Sequence, residues 1–236
     1  MAELIVAVDV RDEKKLDGLL SALRGQPVWV KLGLEALSAF GMGLVQRVSS
    51  RDFKVFADVK LHDIPNTVGA ASRVVARSGA ALFNVHCSGG RAMCAAARQE
   101  SADEATKLGL PRPLVVGVTV LTSLGPEDVA AVGFSGTPRD AALRLAQIGK
   151  EAGLDGVVCS VQEAAAVKKA CGEAYLTVCP GIRPAGAEAG DQKRVATPRG
   201  AVEAGADFIV VGRPITSASD PASACEGILR EIAASE

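Results

Sequence analysis

Lys54-Val55-Phe56-Ala57-Asp58-Val59-Lys60-Leu61-His62-Asp63-Ile64-Pro65-Asn66-Thr67 holds a strand, its end and the start of a helix. Val55, Ala57 and Val59 alternate with Phe56, Asp58 and Lys60, and strand side chains two apart share a face. Asp58 and Lys60 are therefore expected side by side where the strand ends, with Asp63 in the turn that follows. Pro65 suits the first turn of a helix. Opposite charges held this close at a strand terminus need either each other or a ligand to order them.

The same strand-then-helix rhythm runs through the rest of the chain. Apolar runs rich in β-branched residues occupy 4–8, 28–32, 54–59, 81–85, 114–120, 156–159, 175–179 and 208–211. Amphipathic Ala/Leu-rich stretches follow them, predicting helices over 12–23, 34–48, from 65 onward, 90–107, 138–152, 162–170, 198–204 and 221–234. A short segment over 126–132 precedes the fifth of these long helices. No Ser/Pro-rich linker divides the units, so residues 1–236 read as one domain. A doubly wound open sheet uses the same alternation, but eight units in 236 residues favour closure into a (β/α)8 TIM barrel. Hydrophobic residues make up 48% and aromatics only 3%, so the core is built from Ala, Val, Leu and Ile, as buried parallel strands require.

Composition also narrows the function classes. A net charge of −1 gives no bulk attraction to nucleic acid or anionic membrane, and few aromatics leave little for base stacking. No apolar run is long enough to cross a bilayer, and no secretory signal precedes the first strand. The six cysteines form no Cys-x-x-Cys pair, and with two histidines in the chain a zinc site is not expected. They read as reduced, mostly buried thiols of a cytoplasmic protein. Gly41-Met42-Gly43 follows no strand and lacks a third glycine, so it is not a dinucleotide fingerprint.

In a barrel the chemistry sits at the carboxyl ends of the strands. Those positions carry Asp9, Lys31, Asp58 with Lys60, His86 with Ser88, Thr122 with Ser123, Pro180-Gly181-Ile182-Arg183, and Gly212-Arg213. Asp9, Lys31, Asp58 and Lys60 come from three adjacent strands and alternate in sign. A lysine between carboxylates stays cationic, which suits proton donation and electrostatic stabilisation rather than Schiff-base chemistry. Ion pairs that merely close the barrel end are the alternative, although burying several ions for stability alone gains little. Gly212-Arg213 after the last strand is a phosphate candidate, with Arg213 as a bidentate donor. The long glycine-bearing loop over 183–194 reads as a lid. His86 reads as a structural histidine and His62 as solvated or at an interface.

These residues bring a family into view. Asp58-Val59-Lys60-Leu61-His62-Asp63-Ile64-Pro65-Asn66-Thr67 resembles the signature of the orotidine 5′-monophosphate decarboxylase family in its bacterial form. Similar pieces follow in order: Ala7-Val8-Asp9, Val30-Lys31-Leu32-Gly33, Val118-Thr119-Val120-Leu121-Thr122-Ser123, Pro180-Gly181-Ile182-Arg183-Pro184, Gly190-Asp191-Gln192 with Thr197-Pro198, and Val211-Gly212-Arg213-Pro214-Ile215. The Asp-x-Lys-x-x-Asp core is shared with related sugar-phosphate decarboxylases and synthases. Its extension through Ile-Pro-Asn-Thr and the late phosphate motifs is far more specific.

The resemblance implies cofactor-free and metal-free decarboxylation of orotidine 5′-monophosphate to uridine 5′-monophosphate, the last step of de novo pyrimidine nucleotide synthesis. It implies that Lys60 donates the proton and Asp58 sits near the departing carboxylate. Lys31 would continue the charged array to the ribose, and Asp9 would bind a ribose hydroxyl. Asp63 and Thr67 would enter the neighbouring subunit's site in a homodimer. Thr122, and less directly Ser123, would lie near the pyrimidine, with Ile64 and Pro180 among the substrate-binding positions. Arg183, Gln192, Gly212 and Arg213 would enclose the phosphate. A metal-dependent sugar-phosphate decarboxylase or synthase and a catalytically silent nucleotide-binding barrel are the other readings the residues allow.

Overall fold

The computed structural model describes residues 2–184 and 196–235. Short apolar runs form strands β1 (Glu3–Ala7), β2 (Val28–Leu32), β3 (Lys54–Leu61), β4 (Leu82–His86), β5 (Leu114–Val118), β6 (Gly156–Val158), β7 (Leu176–Cys179) and β8 (Phe208–Val211). Each pairs in parallel with the next, and β8 returns to β1, closing an eight-stranded barrel in chain order. The closed (β/α)8 architecture is the one the sequence predicts.

Helices α1 (Glu13–Leu23), α2 (Leu34–Phe40), α3 (Gly43–Ser49), α4 (Pro65–Arg77), α5 (Arg91–Leu108) and α6 (Pro126–Ala131) lie between the first strands. Helices α7 (Pro138–Glu151), α8 (Val161–Cys171), α9 (Pro198–Glu203), α10 (Arg213–Thr216) and α11 (Pro221–Ala233) complete the ring. Local chemistry starts many of them. The Asp12 carboxylate accepts the Lys15 N–H at 2.8 Å ahead of α1, and Thr137 and Asp140 cap α7 reciprocally. Proline opens α4, α7, α9 and α11, where a missing N–H costs nothing.

Alternation along the strands sorts two cores. Leu4, Val6, Val30, Val55, Ala57 and Phe83 face the helices. Ile5, Ala7, Trp29, Phe56, Leu82, Val116, Val178, Phe208 and Val210 fill the barrel. Trp29 meets Phe208 edge-on at 5.2 Å and donates its indole N–H to Glu3 Oε2 at 2.7 Å, which plugs the amino end. Two residues further along the inward parity the filling turns polar: Asp9 after Ala7, Lys31 after Trp29, Asp58 after Phe56, Asn84 after Leu82. The apolar plug thus stops where the charges begin.

Five local features differ from the sequence expectation. The helix expected over 34–48 breaks into α2 and α3, because Gly41 takes φ 74°. The fifth strand stops at Val118 rather than residue 120, since its neighbour β6 ends at Val158 and offers no further ladder. A single 3₁₀ turn, Cys87–Gly89, follows β4, and the one-turn α10 follows β8. The third strand runs on to Leu61, but not regularly. Ala57 pairs with Phe83 and Leu61 with Val85, so Asp58, Val59 and Lys60 stand opposite Asn84 alone. Lys60 sits in the left-handed region at φ 49°. Simple two-residue alternation therefore does not bring Asp58 and Lys60 together; a bulge does.

Candidate active site

A cavity of about 590 Å³ opens at the carboxyl ends of the strands, a size suited to a small-molecule ligand. Asp9, Lys31, Asp58, Lys60, Thr122, Ser123, Pro180, Arg183, Gly212 and Arg213 all line it. Positions scattered along the chain thus converge, as the strand-end reading expects.

The charged residues form one chain of alternating sign across three strands. Lys31 Nζ lies 3.0 Å from Asp9 Oδ2 and 3.1 Å from Asp58 Oδ2. Lys60 Nζ lies 2.5 Å from Asp58 Oδ1. The two inner members, Lys31 and Asp58, each have side chains 10% exposed, while Lys60 at the end is 29% and Asp9 39% exposed. The interior of the chain is desolvated and satisfied, and its two ends are open to the cavity. Two carboxylates balance two ammonium groups, so the array is neutral as a whole while strongly polarised along its length.

The electrostatics follow from this order. Burial pushes the Asp58 carboxyl upward, but the charges of Lys31 and Lys60 and hydrogen bonds from Lys60 and Asn84 outweigh it. Asp58 is held below the ordinary carboxylate range. Burial likewise pushes Lys31 down, and Asp58 and Asp9 together hold it above its ordinary value. Both stay ionised at neutral pH. An ionised Asp58 places a fixed anion beside the ammonium of Lys60, a pairing able to repel an incoming carboxylate while presenting it with a proton donor.

Several contributors were not singled out from the sequence. Asn84 is 1% exposed, donates its Nδ2 to Asp58 Oδ1 at 2.7 Å and accepts the Lys60 backbone N–H at 2.7 Å. A polar residue inside the apolar run Leu82-Phe83-Asn84-Val85 was the available signal. The Gly33 N–H donates to Asp9 Oδ1 at 3.0 Å, and Glu35 in the first turn of α2 joins the cavity wall. The Gly33 backbone is ordinary, so its need for glycine is one of room. A Cβ there would overlap Asp9 Oδ1 and come within 2.8 Å of Lys31 Nζ.

Gly212 opens the one-turn α10, and Thr216 at its end also lines the cavity. Ile182 bridges Ala196, and the Arg183 N–H donates to Ala196 O at 2.9 Å, which joins the described residues after β7 to those before α9. Gln192, and the rest of the expected lid beyond Pro184, lies outside the described residues.

Asp63, Ile64 and Thr67 do not join the cavity of their own chain. They are exposed at the turn from β3 into α4, with Ile64 at 65% exposure. His62 is exposed too, and its ring stacks on His86 at 5.3 Å. Burial, then His62 and Lys60, push His86 below its ordinary value against the opposing pull of Asp58, which keeps that imidazole neutral. All six cysteines are buried. Among the described residues no cluster of three or more His, Cys, Asp or Glu is arranged to hold a metal ion, and no helix is long and apolar enough to cross a membrane.

Comparison with known proteins places this geometry. A family model described as orotidine 5′-phosphate decarboxylase / HUMPS matches residues 2–228. An orotidine 5′-phosphate decarboxylase of Halorhodospira halophila is 47% identical over 231 residues, covering 98% of this chain and 96% of that protein. One of Paramagnetospirillum magneticum is 48% identical over 227 residues, covering 96% and 97%. Among solved structures, orotidine 5′-phosphate decarboxylase of Lactobacillus acidophilus superposes with a TM-score of 0.86 at 36% identity, covering 98% of this chain and 99% of that one. With the model matched across nearly its whole length, the chain belongs to the orotidine 5′-phosphate decarboxylase / HUMPS family.

Proposed function

We propose that this chain converts orotidine 5′-monophosphate into uridine 5′-monophosphate and carbon dioxide, as a carboxy-lyase of pyrimidine nucleotide synthesis. The observation that carries the reading is the Asp9–Lys31–Asp58–Lys60 chain, neutral overall and open to the cavity at Lys60. Orotidylate loses its carboxyl group from a ring carbon whose electron pair lies in the ring plane, out of reach of the π-system. That charge must be met electrostatically. In this reading the carbon–carboxylate bond breaks, the pair stays on the ring carbon, and the Lys60 ammonium transfers a proton to it. Asp58 holds Lys60 in line and faces the carboxylate as it leaves. No cofactor enters any step.

The remaining roles are argued from position. Asp9 and Lys31 face the ribose, with Asp9 accepting a hydrogen bond from a hydroxyl. Thr122, Ser123 and Pro180 border the pyrimidine. Gly212, Arg213 and Arg183 take the phosphate, an anion best met by guanidinium groups. Phosphate contacts remote from the reacting carbon supply binding energy that is realised at the transition state. The exposed turn carrying Asp63, Ile64 and Thr67 points to a homodimer in which these residues complete the partner's cavity. The chain works as one barrel domain, and six buried free thiols fit the reducing cytoplasm.

The deciding measurement is ultraviolet absorbance of orotidylate mixed with purified protein in EDTA. Its steady loss supports the reading. No loss in EDTA, with activity on a sugar phosphate restored by a divalent metal, would transfer the barrel to the metal-dependent class.

A further inference from the structure

Asn84 stands alone opposite Asp58, Val59 and Lys60, where the β3–β4 ladder loses its register. A bulge leaves backbone groups without ladder partners, and the side chain of Asn84 takes up one of them. Its Oδ1 accepts the Lys60 N–H at 2.7 Å, and its Nδ2 donates to Asp58 Oδ1 at 2.7 Å. The two bonds fix the amide's orientation, because a flip would set NH₂ against N–H and oxygen against carboxylate. Lys60 is held here at φ 49°, a conformation non-glycine residues rarely adopt. Buried to 1% exposure, Asn84 does this without adding charge to a balanced array.

Resting on the proposed role of Lys60 as proton donor, we infer that Asn84 is the positioning residue of this site, clamping the bulged backbone of Lys60 to the carboxylate of Asp58 so that the ammonium is aimed along the array. Three of its features are each needed: an acceptor for the N–H, a donor for the carboxylate, and neutrality. Without the clamp, Lys60 relaxes toward the ordinary strand conformation and the Lys60–Asp58 line is lost. Groups that hold nucleotide elsewhere in the cavity are untouched. The consequence is a loss in turnover rather than in product binding.

The test uses the full chain with Asn84→Ala and Asn84→Asp, measuring kcat and KM on orotidylate, the Kd of uridine 5′-monophosphate and thermal melting. Hydrogen bonds to a charged group carry enough free energy that kcat should fall about 10- to 100-fold in Asn84→Ala, with product Kd within about threefold. Asn84→Asp keeps the shape and the acceptor but confronts Asp58 with a second carboxylate. Its rate relative to the unaltered protein should rise as pH falls, since a protonated carboxyl regains the donor. The charged and titratable groups that face Asn84 are Asp58, Lys60, Lys31, His86 and His62, so Asn84→Ala, which adds no titrating group, is followed over the same pH range and its ratio should stay flat where that of Asn84→Asp rises. Turnover within about twofold in both variants would overturn the inference, as would product affinity falling in step with kcat, or failure of both to fold. Lys60→Ala is the control. If it retains turnover, the proton-donor reading fails; if it is inactive while the Asn84 variants are normal, only the Asn84 inference fails.

Discussion

Lys31 and Asp58 meet at 3.1 Å with a tenth of each side chain exposed, and each has a further opposite charge on its far side. A buried ion pair taken alone often contributes little, because desolvation offsets attraction. Extending the pair to a chain of four changes that balance, since each inner charge is attracted from two directions. Among the described residues the end groups, Asp9 and Lys60, each have a single ion-pair partner, and substrate can supply the next contact.

Removing an inner member should therefore cost more than removing an end. Lys31→Ala takes the ammonium from Asp9 and removes one of the two ammonium groups that face the buried Asp58. Breaking a buried pair typically costs about 3 kcal/mol, which for a chain of this size is a melting point lower by roughly 6–12 °C. Lys60→Ala should move it far less while abolishing turnover. Thermal melting and kcat measured on both variants check the contrast; equal losses of stability would show that the array is not graded by burial.

The shifted ionisations set the direction of pH dependence. Asp58 is depressed below 3.8, so its contribution is present above that value and is lost as pH falls through its lower folded value. Lys31 is raised above 10.5, so its contribution is present below that value and is lost as pH rises beyond it. The stability advantage of the unaltered protein over Asp58→Asn, from urea unfolding, should shrink as pH is taken from neutral to about pH 3. An advantage unchanged over that range would remove the Asp58 carboxylate from the stabilising array.

Two glycines should respond oppositely to the same added methyl. At Gly33 a Cβ meets Asp9 and Lys31, so Gly33→Ala should depress turnover about tenfold or more by pushing the array apart. At Gly18, exposed on α1, nothing lies within 4 Å, so Gly18→Ala should leave turnover unchanged and stabilise by about 0.5–1 kcal/mol. Steady-state kinetics and denaturant melts on the pair give the answer. A silent Gly33→Ala would mean that Asp9 has room to move away.

Much of this was legible in the residues because barrel topology makes strand ends predictable. Once eight strand–helix units are counted, Asp9, Lys31, Asp58, Lys60 and Arg213 fall at one rim without any coordinates. Asn84 carried a signal, a polar residue in an apolar run, but its role was not legible, because the two bonds it makes depend on the register of β3 against β4. The bulge at Asp58, Val59 and Lys60 was hidden too: the apolar alternation there is regular, and its interruption is visible only against β4. Gly33 escaped for a related reason. Its backbone is ordinary, and only the packed carboxylate of Asp9 shows why a side chain is barred.

The exposed turn bearing Asp63, Ile64 and Thr67 gives the last prediction. Ile64 at 65% exposure and Leu34 at 55% are apolar side chains that a subunit contact would cover. If these residues complete a partner's cavity, Asp63→Ala and Lys60→Ala chains should each be nearly inactive alone. In a mixed dimer one of the two cavities would combine an intact Lys60 with the partner's intact Asp63, while the other would lack both. Random exchange of equal amounts should thus restore about a quarter of the unaltered activity, from half the dimers with one working cavity each. Subunit exchange is followed independently by mass-tagged chains. Exchange without recovery would confine each cavity to its own chain, and would leave the turn from β3 into α4 as packing surface alone.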